Sequence, residues 1–90
     1  MTISLQPSTN ANPVSLLRMR EVCALQGKSQ SGFYLDITEG LMTRPVKLGT
    51  ASAWPAHEIE AINRARIAGK SHDQIRQLVK KLEADRKAMA

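Results

Sequence analysis

The side chains best suited to chemistry in this chain are ones that hydrogen-bond rather than ones that break bonds. Lys28, Ser29, Gln30 and Ser31 stand in a row. A serine hydroxyl donates and accepts, a glutamine amide offers a donor beside an acceptor, and a lysine brings a positive charge. These groups suit a nucleic acid. The Gln30 amide can bond an adenine edge at two atoms, Ser31 can bond any base edge, and Lys28 and Ser29 can meet phosphate. Bond-breaking sets do not assemble. His57 and His72 form no His-x-x-x-His pair, and neither lies near Cys23 in the sequence. Metal sites need several such ligands. Glu58 and Glu60, two apart on a helix, point to different faces. The glycines are scattered singly, so there is no phosphate-cradling loop. The reading is therefore no enzyme, no metal, no cofactor and no small-molecule ligand.

Composition agrees with an anionic partner. The net charge is +5 and the sequence pI about 9.9. A basic small domain most often meets nucleic acid. A chain of 90 residues allows one domain with a small core. With one Trp, one Tyr and one Phe, that core must be aliphatic. The one cysteine, Cys23, excludes an intrachain disulfide framework. It lies on an apolar stripe and is read as a small buried hydrophobe. Met1 to Leu17 has neither a basic start nor an apolar run, so it is not read as a signal peptide. No apolar run reaches about 18 residues, so no membrane partner is expected and a cytoplasmic protein is the default.

The elements that must position Lys28 to Ser31 can be read on either side of them. Residues 1–15 read as a flexible arm, rich in Ser, Thr, Asn and Pro. Ser15 to Met19 suggests a short extended segment. A first helix runs from about Arg20 to Gln26, with Val22 and Leu25 inward and Met19 and Cys23 as further candidates for that face, and Gly27 stops it. Ser29 caps a second helix, from about Gln30 to Glu39. Phe33, Ile37 and either Tyr34 or Leu41 are placed on the core. Gly32, inside that helix, suggests close approach of its backbone to another group.

Pro45 to Leu48 alternates, Gly49-Thr50 turns, and Ala51 to Trp54 returns, predicting a hairpin with Val46, Leu48 and Trp54 as its contacts. Pro55 opens a third helix as its first residue. Its inward stripe is Ile59 and Ile62, with the Arg66 stem or Ile67. Ser71-x-x-Gln74 is a capping box that starts a fourth helix, from about His72 to Ala88. The spacing Ile75, Leu78, Leu82 is a short heptad seam. It predicts either packing on the chain's own domain or a homodimer contact.

Two helices joined by a short glycine-containing turn make a helix-turn-helix, and a hairpin after it resembles a wing. The fold expected is mainly α with a small β-hairpin: a winged helix-turn-helix over residues 16–69 and a C-terminal helix over 70–90. In such a motif the second helix enters the major groove of double-stranded DNA. The candidate contacts are Arg20, Lys28, Ser29, Gln30, Ser31 and Tyr34, with Arg44, Lys47 and Thr50 on the wing. From Ser29 to Glu39 there is no Lys or Arg, and there are two acids, Asp36 and Glu39. Either the turn, wing and other helices neutralise phosphate, or this helix faces a protein.

The ordered motifs resemble those of the AlpA-type regulators of phages and prophages, which are excisionase-like winged helix-turn-helix proteins with a MerR-like arrangement. The matching residues are Leu17-Arg18-Met19-Arg20-Glu21-Val22 and Gly27-Lys28-Ser29-Gln30-Ser31-Gly32-Phe33-Tyr34. Gly40-Leu41, Arg44-Pro45-Val46-Lys47-Leu48-Gly49, Ala53-Trp54-Pro55, Glu58-Ile59 and Ala65-Arg66-Ile67-Ala68-Gly69-Lys70-Ser71 follow in order. The likeness covers about Leu16 to Ala84. It implies binding of double-stranded DNA in the bacterial cytoplasm, by a regulator of integrase-linked genes or of excision. It puts the recognition role on Ser29 to Tyr34 and the wing role on Lys47 to Trp54. The family usually has an Arg where Gln30 stands.

Overall fold

The computed structural model describes residues 15–89 of the chain. The arm expected over residues 1–15 lies outside that range, apart from Ser15. In order, the elements are β1 (Leu16–Leu17), α1 (Met19–Gln26), α2 (Gln30–Thr38), β2 (Val46–Leu48), β3 (Ala51–Pro55), α3 (Ala56–Ile67) and α4 (His72–Asp85). A 3-10 turn, Arg86–Met89, closes the described chain. The protein is mainly helical with a small antiparallel sheet.

The local signals at the first two helices hold. Gly27 takes φ 65°, the left-handed conformation that costs a glycine nothing, and its N–H closes on α1. Two residues later the Ser29 hydroxyl accepts from the Gly32 N–H at 3.2 Å and starts α2. At the other end of the chain Ser71 and Gln74 form both halves of the capping box. At the start of α1 the Glu21 carboxylate accepts from the Arg18 N–H at 2.9 Å.

The sheet is larger than the hairpin expected. Its strand order is β1-β3-β2, with Leu16 opposite Pro55 and Leu17 opposite Trp54 on one side of β3. On the other side Val46 faces Ala53 and Leu48 faces Ala51. The Ala56 N–H also donates to the Ser15 carbonyl at 2.8 Å. The physical reason is edge pairing. A lone hairpin of weak strand residues is marginal, and β1 supplies the missing ladder. It also ties the start of α1 to the hairpin. Pro55, expected inside the third helix, instead ends β3 and stands at the N-cap of α3. Its fixed φ suits both roles.

Trp54 is the centre of the core. Its ring meets Phe33 edge-on, with centroids 5.0 Å apart, and its indole N–H donates to the Thr43 carbonyl at 2.9 Å. Val22, Met42, Ile59 and Ile62 are buried in the same cluster. Cys23 packs beside it, partly buried, its thiol donating to the Met19 sulfur at 3.4 Å. Of the alternatives at α2, Leu41 is buried and Tyr34 faces outward, and so do Leu25, Leu48 and Ile67, the last 86% exposed. On α3 the Arg66 stem, not Ile67, completes the inner face, because its guanidinium has buried partners to reach.

The heptad seam is used within the chain. Ile75 and Leu82 are buried in the core with Val79, and Leu78 packs partly against it. Of the two alternatives for Ile75, Leu78 and Leu82, packing on the chain's own domain accounts for the burial of Ile75 and Leu82. The helix also ends earlier than Ala88. At Arg86 it passes into the 3-10 turn, where the guanidinium donates to both oxygens of the fully buried Glu58, at 2.8 and 2.7 Å.

Truncating Trp54 removes the largest buried side chain and its bond to Thr43. Trp54→Ala should cost about 3 to 5 kcal/mol, in a domain whose whole stability is on the order of 5 to 10 kcal/mol. Urea unfolding followed by circular dichroism reads this. A loss under about 1 kcal/mol would contradict the central place given to this ring.

Candidate nucleic-acid interface

Between α1 and α2 the chain makes a three-residue turn, Gly27-Lys28-Ser29, and α2 then presents one face outward. That face carries Gln30, Ser31, Tyr34, Leu35 and Thr38, all exposed. They lie at helical spacings of three and four, so they form one continuous strip. No residue of the strip is charged. The Thr38 hydroxyl donates to the Tyr34 carbonyl at 3.1 Å. Ser29, Gln30 and Ser31 occupy the helix start, where the first N–H groups lack intrahelical partners and the dipole is positive.

The acid that counts against anion binding lies beneath this face. Asp36 is buried, on the same side of α2 as Phe33. Lys28 donates to its Oδ2 at 2.6 Å and Arg66 to the same oxygen at 3.3 Å. Arg66 reaches further, donating to the Gln26 side-chain oxygen at 2.7 Å and to the Leu41 carbonyl at 3.3 Å. The Gln26 amide donates to Asn63, and Asn63 donates to the Leu25 carbonyl at 3.4 Å. One connected network thus joins the end of α1, the turn, the middle of α2 and the end of α3. The second acid, Glu39, stands exposed at the far end of α2.

The expected contacts separate into two groups. Arg20, Gln30, Ser31, Tyr34, Lys47 and Thr50 are exposed. Arg20 forms no ion pair among the described residues. Lys47 donates to the Ser52 hydroxyl at 3.2 Å across the β2–β3 ladder, and Thr50 stands in its turn. Ser29 and Lys28 have partners inside the protein, Ser29 as the cap and Lys28 on Asp36. Arg44 belongs to the α4 side. Its N–H and guanidinium bond Glu83 at 2.7 and 3.2 Å, and it lines a cleft of about 280 Å³ with Ile37, Met42, Arg76 and Val79.

The ion pairs also sort the remaining charge. Arg18, Arg20, Lys47, Lys70, Lys80 and Lys87 are in no ion pair among the described residues, and the acids Glu21 and Glu39 are likewise unpaired. Arg18 and Arg20 flank the first residue of α1, just after β1, and Lys47 is on β2 of the same three-stranded sheet. The strip of α2 thus carries no positive charge of its own, and the sheet and the start of α1 carry three free cations.

Spacing alone missed the roles of Asp36, Arg66, Glu58 and Arg86. One signal was present. Phe33, Asp36 and Ile37 are at i, i+3 and i+4, so Asp36 shares the inward face with the aromatic. The partners of that carboxylate come from as far as 30 residues away, which spacing cannot supply.

Comparison of the chain with protein-family models, curated protein sequences and solved structures returned no match.

Two measurements follow from this geometry. A Cβ built on Gly32 lies 3.5 Å from the Ser29 hydroxyl and 3.8 Å from the Lys28 stem, ordinary contact distances. The glycine is therefore not needed for space, and Gly32→Ala should stabilise the fold by about 0.4 to 1 kcal/mol in urea unfolding. Loss of stability would mean that Lys28 cannot keep its path to Asp36.

Glu83 gives the pH dependence. Burial works to raise its pKa, but the Arg44 N–H and guanidinium, and the charges of Arg44 and Arg86, hold it below the ordinary 4.5. The folded state thus favours the carboxylate. Its contribution is complete above the unfolded value and is lost as pH falls through the lower folded value. Glu83→Gln should be less stable than wild type by about 0.5 to 1 kcal/mol at neutral pH, since the Arg44 side chain is mostly exposed. The difference should shrink as pH falls below 4.5; a difference that stays constant would exclude this ion pair as its source.

Proposed function

We propose that this chain is a sequence-specific DNA-binding protein of phage or mobile-element type, an AlpA-like or excisionase-like regulator in the bacterial cytoplasm. In this reading α1 and α2 are the helix-turn-helix, β2 and β3 are the wing, and α4 is a packing helix that braces them. No cofactor is involved. The observation that carries the reading is the outward face of α2. It is uncharged, lined by hydrogen-bonding and apolar side chains, and begins at a capped helix terminus. The one acid in the body of this helix is already met by Lys28 and Arg66.

Such a helix enters the major groove of double-stranded DNA with its N-terminal residues toward the bases. Gln30 and Ser31 supply base-edge bonds. Arg18, Arg20 and Lys47 supply phosphate contacts from the flanks. Counterion release by such residues provides most of the affinity in proteins of this kind. A second reading, a protein-interaction module on the same fold, draws on the exposed apolar side chains Leu25, Tyr34 and Leu35.

Gel-shift titration against random duplex at two salt concentrations separates the two. The DNA reading expects binding that weakens steeply with salt, and no binding at low salt would sink it. Arg20→Ala and Lys47→Ala should each weaken binding to all sequences alike and flatten the salt slope by about 1. Lys28→Ala should change that slope less, because Asp36 already meets its charge. Gln30→Ala should relax the preference at one base pair.

A further inference from the structure

One exposed side chain on the outward strip of α2 can neither donate nor accept a hydrogen bond and carries no charge. Leu35 is 55% exposed in the middle of the outward strip, beside Tyr34 at 48%. Leu35 follows Ser31 by one helical turn, so the two share a single line along the helix. The carboxylate of its neighbour Asp36 points inward and is held by Lys28 and Arg66. The nearest exposed acid on this element, Glu39, sits at the C-terminal end, where the helix dipole is also negative. Charge therefore grades along α2 from a positive, serine-capped start to a negative end. An anionic duplex is admitted at the start and middle of the strip and repelled at its end. An aliphatic group in the middle of such a strip faces base edges, not phosphates.

In the major groove one base edge offers an apolar group, the C5-methyl of thymine. Resting on the DNA-binding reading above, we infer that Leu35 reads a thymine methyl, so that the site holds a required thymine beside the bases met by Gln30 and Ser31. The rise of α2 fixes how far apart they are. Leu35 lies five residues beyond Gln30, about 7.5 Å along the axis, which is roughly two base-pair steps of 3.4 Å. The methyl falls within about two or three base pairs of the base that Gln30 contacts. The reading is one of contact area. A buried methyl-sized group is worth about a fourfold change in affinity.

The test uses a duplex selected by the wild-type protein from a random pool. Each thymine in it is replaced in turn by deoxyuridine, which pairs identically but lacks the methyl. Wild-type binding should weaken roughly three- to tenfold at one thymine for each bound copy of the protein and be unchanged elsewhere. Leu35→Ala, at an exposed position that leaves the fold intact by circular dichroism, should bind the thymine duplex more weakly by a similar factor. It should also be indifferent to deoxyuridine at that position, the non-additivity expected of two groups in contact.

Intact binding with no sensitivity to deoxyuridine overturns the role of Leu35 and leaves the DNA reading standing. A Leu35→Ala variant that keeps the sensitivity also overturns it. No binding to any duplex overturns both. If Leu35→Ala leaves DNA binding untouched but alters sedimentation, the face is a protein contact and the thymine reading is wrong.

Discussion

A carboxylate buried in a small domain must find positive partners, because an unpaired charge out of water costs more than the fold can spare. Asp36 sets this condition for the protein. It lies on the inner face of α2, and both cations that meet it come from elsewhere: Lys28 from the turn and Arg66 from the end of α3. Arg66 carries the constraint on to Gln26 and the Leu41 carbonyl. The angle between α1 and α2 is therefore held by directed bonds as well as by packing. Directed bonds distinguish one arrangement of two short helices from others of similar apolar burial. They also place the negative charge of α2 where an approaching anion does not meet it.

A second buried carboxylate does the same at the opposite end of α3. Glu58, in the first turn, receives both arms of Arg86 from beyond α4. Arg86 also donates to the Arg44 carbonyl at 2.7 Å, and Arg44 bonds Glu83. The Glu58 carboxylate, by hydrogen bond and charge, holds Arg86 protonated against burial. So α4 is fixed at its end by ionic groups and along its length by Ile75, Val79 and Leu82. The core beside these clamps is centred on Trp54, with Phe33 edge-on against it. The domain is small, and it rests on one aromatic pair and two buried charge clusters rather than on a large core.

These clusters also decide which positive charges face outward. Cations engaged with Asp36, Glu58 and Glu83 are spent on the fold. Those left in no ion pair among the described residues include Arg18 and Arg20 at the start of α1 and Lys47 on the sheet, all exposed. Phosphate contact from the flanks with base contact from the middle is a sensible division. Phosphate binding gives affinity without sequence information, and an uncharged hydrogen-bonding face gives the reverse. A strip without lysine or arginine is therefore compatible with the proposed function, provided its neighbours carry the charge.

Much of the fold was legible in the sequence because its signals are local. Gly27, Ser29 and the Ser71-Gln74 box mark helix ends through bonds within a few residues, and Gly49-Thr50 marks a turn in the same way. Gln30 and Ser31 could be nominated for the interface because they stand at a helix start. The inward stripes were less legible. A short helix offers several candidate faces, and Leu25, Tyr34 and Ile67 satisfied the spacing while facing outward. The seam of Ile75, Leu78 and Leu82 was visible too, but whether a second copy or the chain itself covers it depends on what lies opposite. Tertiary structure alone decided that, along with the pairing of β1 with β3 and the partners of Asp36 and Glu58. Each of these joins residues distant in the chain. Periodicity reports the face a residue occupies on its own helix, and it holds no information about which charge or strand the rest of the fold brings to that face.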